Sequence, residues 1–227
     1  MHLQEAIVAR HSVRKFIDKE IPDHVIKALQ DKIAECNKLG QLNIQLVLNE
    51  TKAFTGMLSY GKFRGVKHYL VMVGKKADDL DERIGYYGEQ LVLLSQTLGL
   101  NTCWVGLSYR KVPEAYAVAP GEKLVCMIAL GYGETQGVSH KIKKVEDVSN
   151  ASENTPVWFK AGVEAALLAP TAVNQQKFSF EYIGKKGDQH IVKAHKGFSL
   201  IGYTRIDLGI AKCHFEIAAE QANFIFI

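Results

Sequence analysis

The sequence lacks the marks of several protein classes. It has only four cysteines, Cys36, Cys103, Cys126 and Cys213, far apart and each in an apolar neighbourhood. No Cys-x-x-Cys pair occurs, so a thiol metal site is not expected; buried thiols in a reducing cytosol are the simplest account. No stretch approaches the roughly 18–20 apolar residues that a membrane-spanning helix needs. The opening MHLQEAIVARHSVRKF breaks its apolar spacing with Glu5 and Arg10. That is not a signal-peptide core, and a cytoplasmic location is expected. No Gly-x-Gly-x-x-Gly follows a strand-like run, which argues against a Rossmann dinucleotide domain. No nucleophilic triad is recognisable. No basic stripe interleaved with aromatics is present either, so neither a nucleic-acid nor a membrane partner is expected. The 28 basic residues face 24 acidic ones, and a net charge of +4 is too mild to argue otherwise.

What is present is an ordinary globular composition. Hydrophobic residues make up 47% and charged residues 23%, which excludes disordered, collagen-like and coiled-coil chains. A length of 227 residues suits one large domain or two small ones, with enough chain to bury a core without staples.

Helical spacing is predicted over residues 2–10, from Pro22 (as a first helical residue) to about Asn37 with Gly40 as terminator, over 79–98, over 156–168, and from Tyr203 to about Gln221. Thr155 and Pro156 read as an N-cap and first-position pair. Strand-like runs occupy 42–48, 67–74, 102–106, 124–133, 177–183 and about 190–195. The closing NFIFI reads as a buried strand, and 134–155 as a long polar connection. Gly85 and Gly88 sit inside a predicted helix, where glycine costs about 1 kcal/mol against alanine; close approach of another backbone would account for them.

The two halves look alike. Pro22 opens a helix leading to Leu42-Asn43-Ile44-Gln45, and Pro156 opens one leading to Val173-Asn174-Gln175-Gln176. Glu82-Arg83-Ile84 and Thr204-Arg205-Ile206 then begin the two long helices. A duplication is expected, with residues 1–150 as the first copy and 151–227 as a shorter second copy of one domain, packed about a pseudo-twofold axis.

Three clusters could carry chemistry. Arg10, His11, Ser12, Arg14 and Lys15 place two guanidiniums and a hydroxyl at a helix exit; the arginine fork matches phosphate oxygens, although an exposed basic loop would look the same. Pro170, Thr171, Ala172, Asn174 and Gln176 form a small-residue turn whose amides could meet a heterocycle edge, or a plain polar turn. In the third, Leu98 to Gly106, Gly99 could cap the long helix, with Trp104 in the core. A basic run, His140-Lys141-Ile142-Lys143-Lys144, reads as a solvated loop that could also serve a phosphate.

RHSVRKF is similar to the R-x-S-x-R-x-F signature of the flavin-dependent nitroreductase family. LAPTAVNQQKFSF resembles its A-P-S-x-x-N-x-Q-P-W-x-F segment. GLNTCWVG, EKLVCMIALGYGE and HKIKKVEDV resemble its later motifs, in the same order. The first half lacks the A-P-S part, and the second lacks R-x-S, reading SNASENTP where it would fall. The chain therefore resembles the fused, Thermotoga-type branch of the family, in which one polypeptide builds what relatives build from two subunits.

The resemblance implies an α+β, nitroreductase-like fold with a central, mainly antiparallel sheet packed by helices. It implies FMN, NAD(P)H as co-substrate, and a small-molecule electron acceptor of nitroaromatic or quinone type reduced by hydride transfer through flavin N5. A flavin-binding protein with little turnover is the alternative. By motif position, Arg10, His11, Ser12 and Arg14 would hold the phosphate, ribityl and pyrimidine side. Lys143, with Lys141, would add a phosphate contact. Pro170, Thr171, Ala172 and Asn174 would line the isoalloxazine or ribityl, with Gln176 supporting their loop. Val105 and Gly106 would place a backbone N–H near flavin N5 or O4. A pseudo-dimeric monomer or weak homodimer, with one flavin per chain, is expected.

Overall fold

The apolar spacing of Val25, Leu29, Ile33 and Cys36 becomes the buried stripe of helix α2, Asp23–Gly40. The computed structural model describes residues 1–56, 62–220 and 222–227. Pro22 precedes α2 rather than beginning it: its backbone is extended (φ −61°, ψ 148°) and its carbonyl accepts from the Val25 and Ile26 amides. Pro156 stands in the same relation to α5, Val157–Leu167. In both places the prediction is one residue early, because an extended cap loses nothing by lacking an N–H. Thr155, expected as the cap, instead closes a turn with Ser152. Gly40 is the last helical residue of α2; Gln41 takes the left-handed turn (φ 49°) that ends the helix.

The remaining elements are helices α1 Leu3–Ala9, α3 Leu80–Thr97, α4 Val145–Val148 and α6 Thr204–Ala219, and strands β1 Gln45–Val47, β2 His68–Lys75, β3 Asn101–Val105, β4 Glu122–Gly131, β5 Phe178–Lys186, β6 Gln189–Lys196 and β7 Phe224–Phe226. The short α4 lies inside the stretch read as a connection. The predicted end of the last helix, at Gln221, lies outside the described residues.

Strands β1, β2, β4 and β3 form, in that order, a four-stranded antiparallel sheet. Residues His68 to Gly74 of β2 are all buried, so this strand is covered on both faces. Its side chains alternate with the period of two that a strand imposes. Leu70 and Met72 pack, with Cys126 and Ile128 of β4, among the side chains of α3, α5 and α6. Tyr69, Val71 and Val73 pack on the other face with Met127, Ala129, Val13, Phe16 and Phe54.

A second sheet, ordered β5-β6-β7, is antiparallel between β5 and β6 and parallel between β6 and β7. The terminal strand is therefore an edge strand of three residues, not a buried one. Ile225 is exposed, while Phe224 and Phe226 pack against Phe215, beside Trp158 and Phe180. The order helix, two strands, long helix, strand occurs twice, as α2-β1-β2-α3-β3 and α5-β5-β6-α6-β7.

The long helices α3 and α6 meet backbone to backbone. A Cβ at Gly85 would lie 2.1 Å from the Ile206 carbonyl oxygen, and one at Gly209 would lie 2.0 Å from that of Glu82. Gly85 thus has the reason the sequence suggested. Gly88 does not: its neighbours are the Trp104 ring and the Met72 side chain.

Candidate functional site

Ser12 bridges Thr102 of β3, and the Val13 amide donates to the Thr102 carbonyl. This lays Ser12 and Val13 along the edge strand β3 and carries Arg10, Ser12 and Arg14 towards the loop after α5. Two adjoining cavities lie there, sharing Ser12, Arg14, Pro170, Thr171 and Val173. The first, about 250 Å³, is mainly apolar: Trp104, Val105, Gly106, Cys126, Ala172, Ile206 and Ile210 line it, with Tyr203 and Asp207. The second, about 300 Å³, adds Arg10, His11, His140, Ser139 and Asn174. A larger open hollow of about 800 Å³ lies between the N-terminus, α3 and α6, but none of the sequence-predicted residues lines it.

Arg10 is only 3% exposed, and its Nε is buried without a hydrogen-bond partner. Its charge is met from behind by Glu89, whose Oε1 lies 3.8 Å from the Nε, and the residue lines the polar cavity, so a buried cation borders that cavity. Burial pushes the His11 imidazole down, helped by the charges of Arg10 and His140. Burial pushes the Cys126 thiol up, and all four cysteines are buried and free.

The loop of the second cluster is held in a costly conformation. Val173, Asn174 and Gln176 all have left-handed φ, between 45° and 56°, a region that non-glycine residues seldom occupy. Side chains hold it there. Asn174 Nδ2 and Gln176 Nε2 both donate to the Lys141 carbonyl, at 2.8 and 2.9 Å, and Gln176 Nε2 also donates to Asn174 Oδ1. The Lys143 amide donates to Gln176 Oε1, and its ammonium to the Gln176 carbonyl. Asn174 therefore lines the polar cavity with both side-chain polar atoms engaged. Lys141 and Lys143 line neither cavity; they fasten the loop.

Two site residues gave little sequence signal. Tyr203 caps α6 with φ 62°, and its ring stands where a Cβ on Gly106 would lie, 2.6 Å away. Asp207, 2% exposed, accepts from the Ala172 amide at 2.9 Å and from Gln175 Nε2 at 2.6 Å. The one hint was an acid flanking the apolar stripe of Ile206, Ile210 and Cys213. Burial pushes the Asp207 carboxyl up to about 6, against those two hydrogen bonds. An acid raised in the folded state binds a proton there that the unfolded chain releases. Its contribution to stability therefore falls as pH rises from about 4 to beyond 6. Relative to Asp207→Asn, the wild type should lose on the order of 2 kcal/mol between pH 4.5 and 7, read by urea unfolding at both values. A pH-independent difference would refute this.

The two-sheet α+β arrangement is the nitroreductase-like fold. It matches a "putative nitroreductase" from Thermotoga maritima MSB8 with a TM-score of 0.63 and 24% identity, over 96% of this chain and 83% of that one. A "putative nitroreductase" from Desulfovibrio desulfuricans, solved in complex with FMN, matches with a TM-score of 0.54 and 16% identity over 69% of this chain and 99% of that one. A "Putative NADH Oxidase" from Clostridium acetobutylicum matches with a TM-score of 0.50 and 16% identity over 63% and 96%. No curated protein matches. The family model described as "Putative TM nitroreductase" matches residues 2–219. The chain belongs to that family, and so among the oxidoreductases. Among the described residues, no helix is long and apolar enough to cross a membrane.

Proposed function

We propose that the paired cavities hold FMN and that the protein is an FMN-dependent NAD(P)H oxidoreductase acting on nitroaromatic or quinone-type acceptors. The observation that carries this is the almost fully buried Arg10 guanidinium on the wall of a polar cavity that shares five lining residues with an apolar one. A polar group with an anion at one end and a flat ring at the other fits that pair of walls. The Desulfovibrio relative solved with FMN and the Clostridium relative described as an NADH oxidase support the same cofactor and donor.

FMN held there would supply the redox chemistry, as an acceptor of hydride from NAD(P)H and a donor of electrons to the acceptor. The chain's own residues bind and orient. Arg10, Ser12 and Arg14 hold the phosphate, ribityl and pyrimidine side by charge-assisted hydrogen bonds. His11 stands beside them. Pro170, Thr171 and Ala172 meet the ring from the opposite half, and the tie of Asn174 and Gln176 to Lys141 and Lys143 keeps their loop in place. The Val105–Gly106 backbone lies on the apolar wall, where an amide can meet the negative charge that reduction adds. Leu107, Val173 and Ile201, all exposed, rim the mouth and favour a flat, apolar acceptor.

Only the first half carries R-x-S and only the second the A-P-T segment, so we read one FMN per chain, built by two fused copies. The repeated order of elements supports the duplication. A cytoplasmic monomer, or a weak homodimer, is the matching assembly.

The absorbance spectrum of the purified protein, with and without NADPH, tests the reading. Flavin bands that bleach with NADPH, and an FMN titration saturating at one per chain, are expected. No FMN binding would overturn the proposal, and saturation at two would overturn the single-site reading. Bound FMN with no NADPH oxidation would leave a flavin-binding protein without turnover.

A further inference from the structure

Behind the two cavities lies a buried cluster that flavin binding alone does not explain. Glu89 of α3 and His214 of α6 are both 0% exposed. Glu89 Oε2 accepts from Trp104 Nε1 at 2.8 Å. Its Oε1 meets His214 Nε2 at 2.9 Å and stands 3.8 Å from Arg10 Nε. The other ring nitrogen of His214, Nδ1, lies 3.1 Å from the Ala165 carbonyl oxygen of α5. Trp104 lines the apolar cavity and Arg10 the polar one, so Glu89 holds one wall residue of each.

The protons of this cluster can be counted. A carbonyl oxygen has no hydrogen to give, so Nδ1 must donate to Ala165. Nε2 then faces a carboxylate oxygen at hydrogen-bond distance. Two lone pairs would repel there, so one proton lies between Nε2 and Oε1, whichever atom carries it. Glu89 and His214 are together neutral, and Arg10 leaves the cluster with a charge of +1. The groups around it do not cancel that charge. Burial holds the Cys103 thiol of β3 and the Cys213 thiol of α6 towards their neutral forms. Arg14 adds positive charge towards Cys103. Glu216 and Lys32, beyond Cys213, are opposite in sign.

We infer that Glu89 and His214 are positioning residues: they fix Arg10 and Trp104 while the proton they share keeps the Arg10 charge available to an anion in the polar cavity. An ionised Glu89 beside a neutral His214 would hold Arg10 just as well, but would offset its charge. The shared proton separates the two effects. The identity of the anion, the FMN phosphate, rests on the function proposed above.

The first measurement does not depend on that function. In the full chain at pH 7, the His214 ¹⁵N and Glu89 ¹³Cδ shifts should show a protonated Nδ1 and one further proton, on Nε2 or on the carboxyl. A bare Nε2 facing an ionised carboxylate would overturn the inference. The second measurement is FMN affinity by fluorescence titration, with melting temperature as the check on folding. His214→Gln leaves an ionised Glu89 against Arg10, and should raise the FMN Kd roughly 5–10-fold, because the added negative charge offsets Arg10 towards the anion. Adding Glu89→Gln to that variant restores the charge of +1, and should bring the Kd back within about twofold of wild type. A double variant that binds no better than the single one would make the cluster merely structural. If the wild type binds no FMN, the function proposed above fails and the proton count still stands or falls on its own spectrum.

Discussion

Replacing Arg10 with alanine is expected to raise the Kd for FMN about 10–150-fold, the equivalent of the roughly 1.5–3 kcal/mol that a charge-assisted hydrogen bond contributes. The expectation follows from burial. At 3% exposure the guanidinium is screened little by water, and its Nε makes no hydrogen bond within the protein. The same change should leave the folded state intact. Glu89 loses a charge 3.8 Å away but keeps its hydrogen bonds to Trp104 and His214, so no acid is left buried and unpaired. Arg14→Ala is the informative comparison: Arg14 lines both cavities but is exposed, so solvent weakens its hold and the loss should be several-fold smaller. The measurement is a fluorescence titration of apoprotein with FMN. An Arg10→Ala affinity equal to wild type would remove Arg10 from the site.

The largest effect on stability is expected at the crossing of α3 and α6. Gly209→Ala should destabilise the protein by about 2–3 kcal/mol, the upper part of the range for overpacking a rigid contact. The added methyl would lie 2.0 Å from the Glu82 carbonyl oxygen and 2.8 Å from the Tyr86 amide nitrogen. Both are backbone atoms of a helix and cannot rotate away. Alanine's helix propensity returns about 1 kcal/mol, too little to offset a displaced helix pair. Gly85→Ala, against the Ile206 carbonyl oxygen at 2.1 Å, should behave alike. Because both positions serve one contact, the double variant should cost less than the sum of the singles. At this chain length the single variants should melt some 4–12 °C lower. Ile206 and Asp207 line the apolar cavity, so FMN should also bind more weakly to protein that is still folded. Unchanged melting temperatures would mean the helices can separate without loss.

Much of the architecture was legible in the sequence because it depends on local geometry. Val25, Leu29, Ile33 and Cys36 recur at the period of a helix and form its buried stripe. The apolar runs of β2 and β4 pair as neighbours in one antiparallel sheet. Arg10, Ser12, Pro170 and Thr171 could be singled out because short motifs keep them together along the chain, and the fold brings the two motifs to a shared wall. The sequence misplaced what depends on distant neighbours. The closing NFIFI has the apolar content of a core strand, yet it lies at a sheet edge because only β6 offers it a partner. The sequence also gives no sign that the Asn174 amide, on the wall of the polar cavity, is tied to Lys141 and Gln176.

By itself, then, the sequence determined which segments are helices and strands, which thiols are buried, and that the arginine motif and the small-residue turn lie in opposite halves. Only the tertiary structure decided that Glu89, His214 and Asp207 are interior groups with partners. Periodicity reports which face of an element is apolar. It does not report a carboxylate whose hydrogen-bond partner lies 125 residues away. A polar side chain can stay buried only when such a partner meets it, and that meeting exists only after the chain has folded.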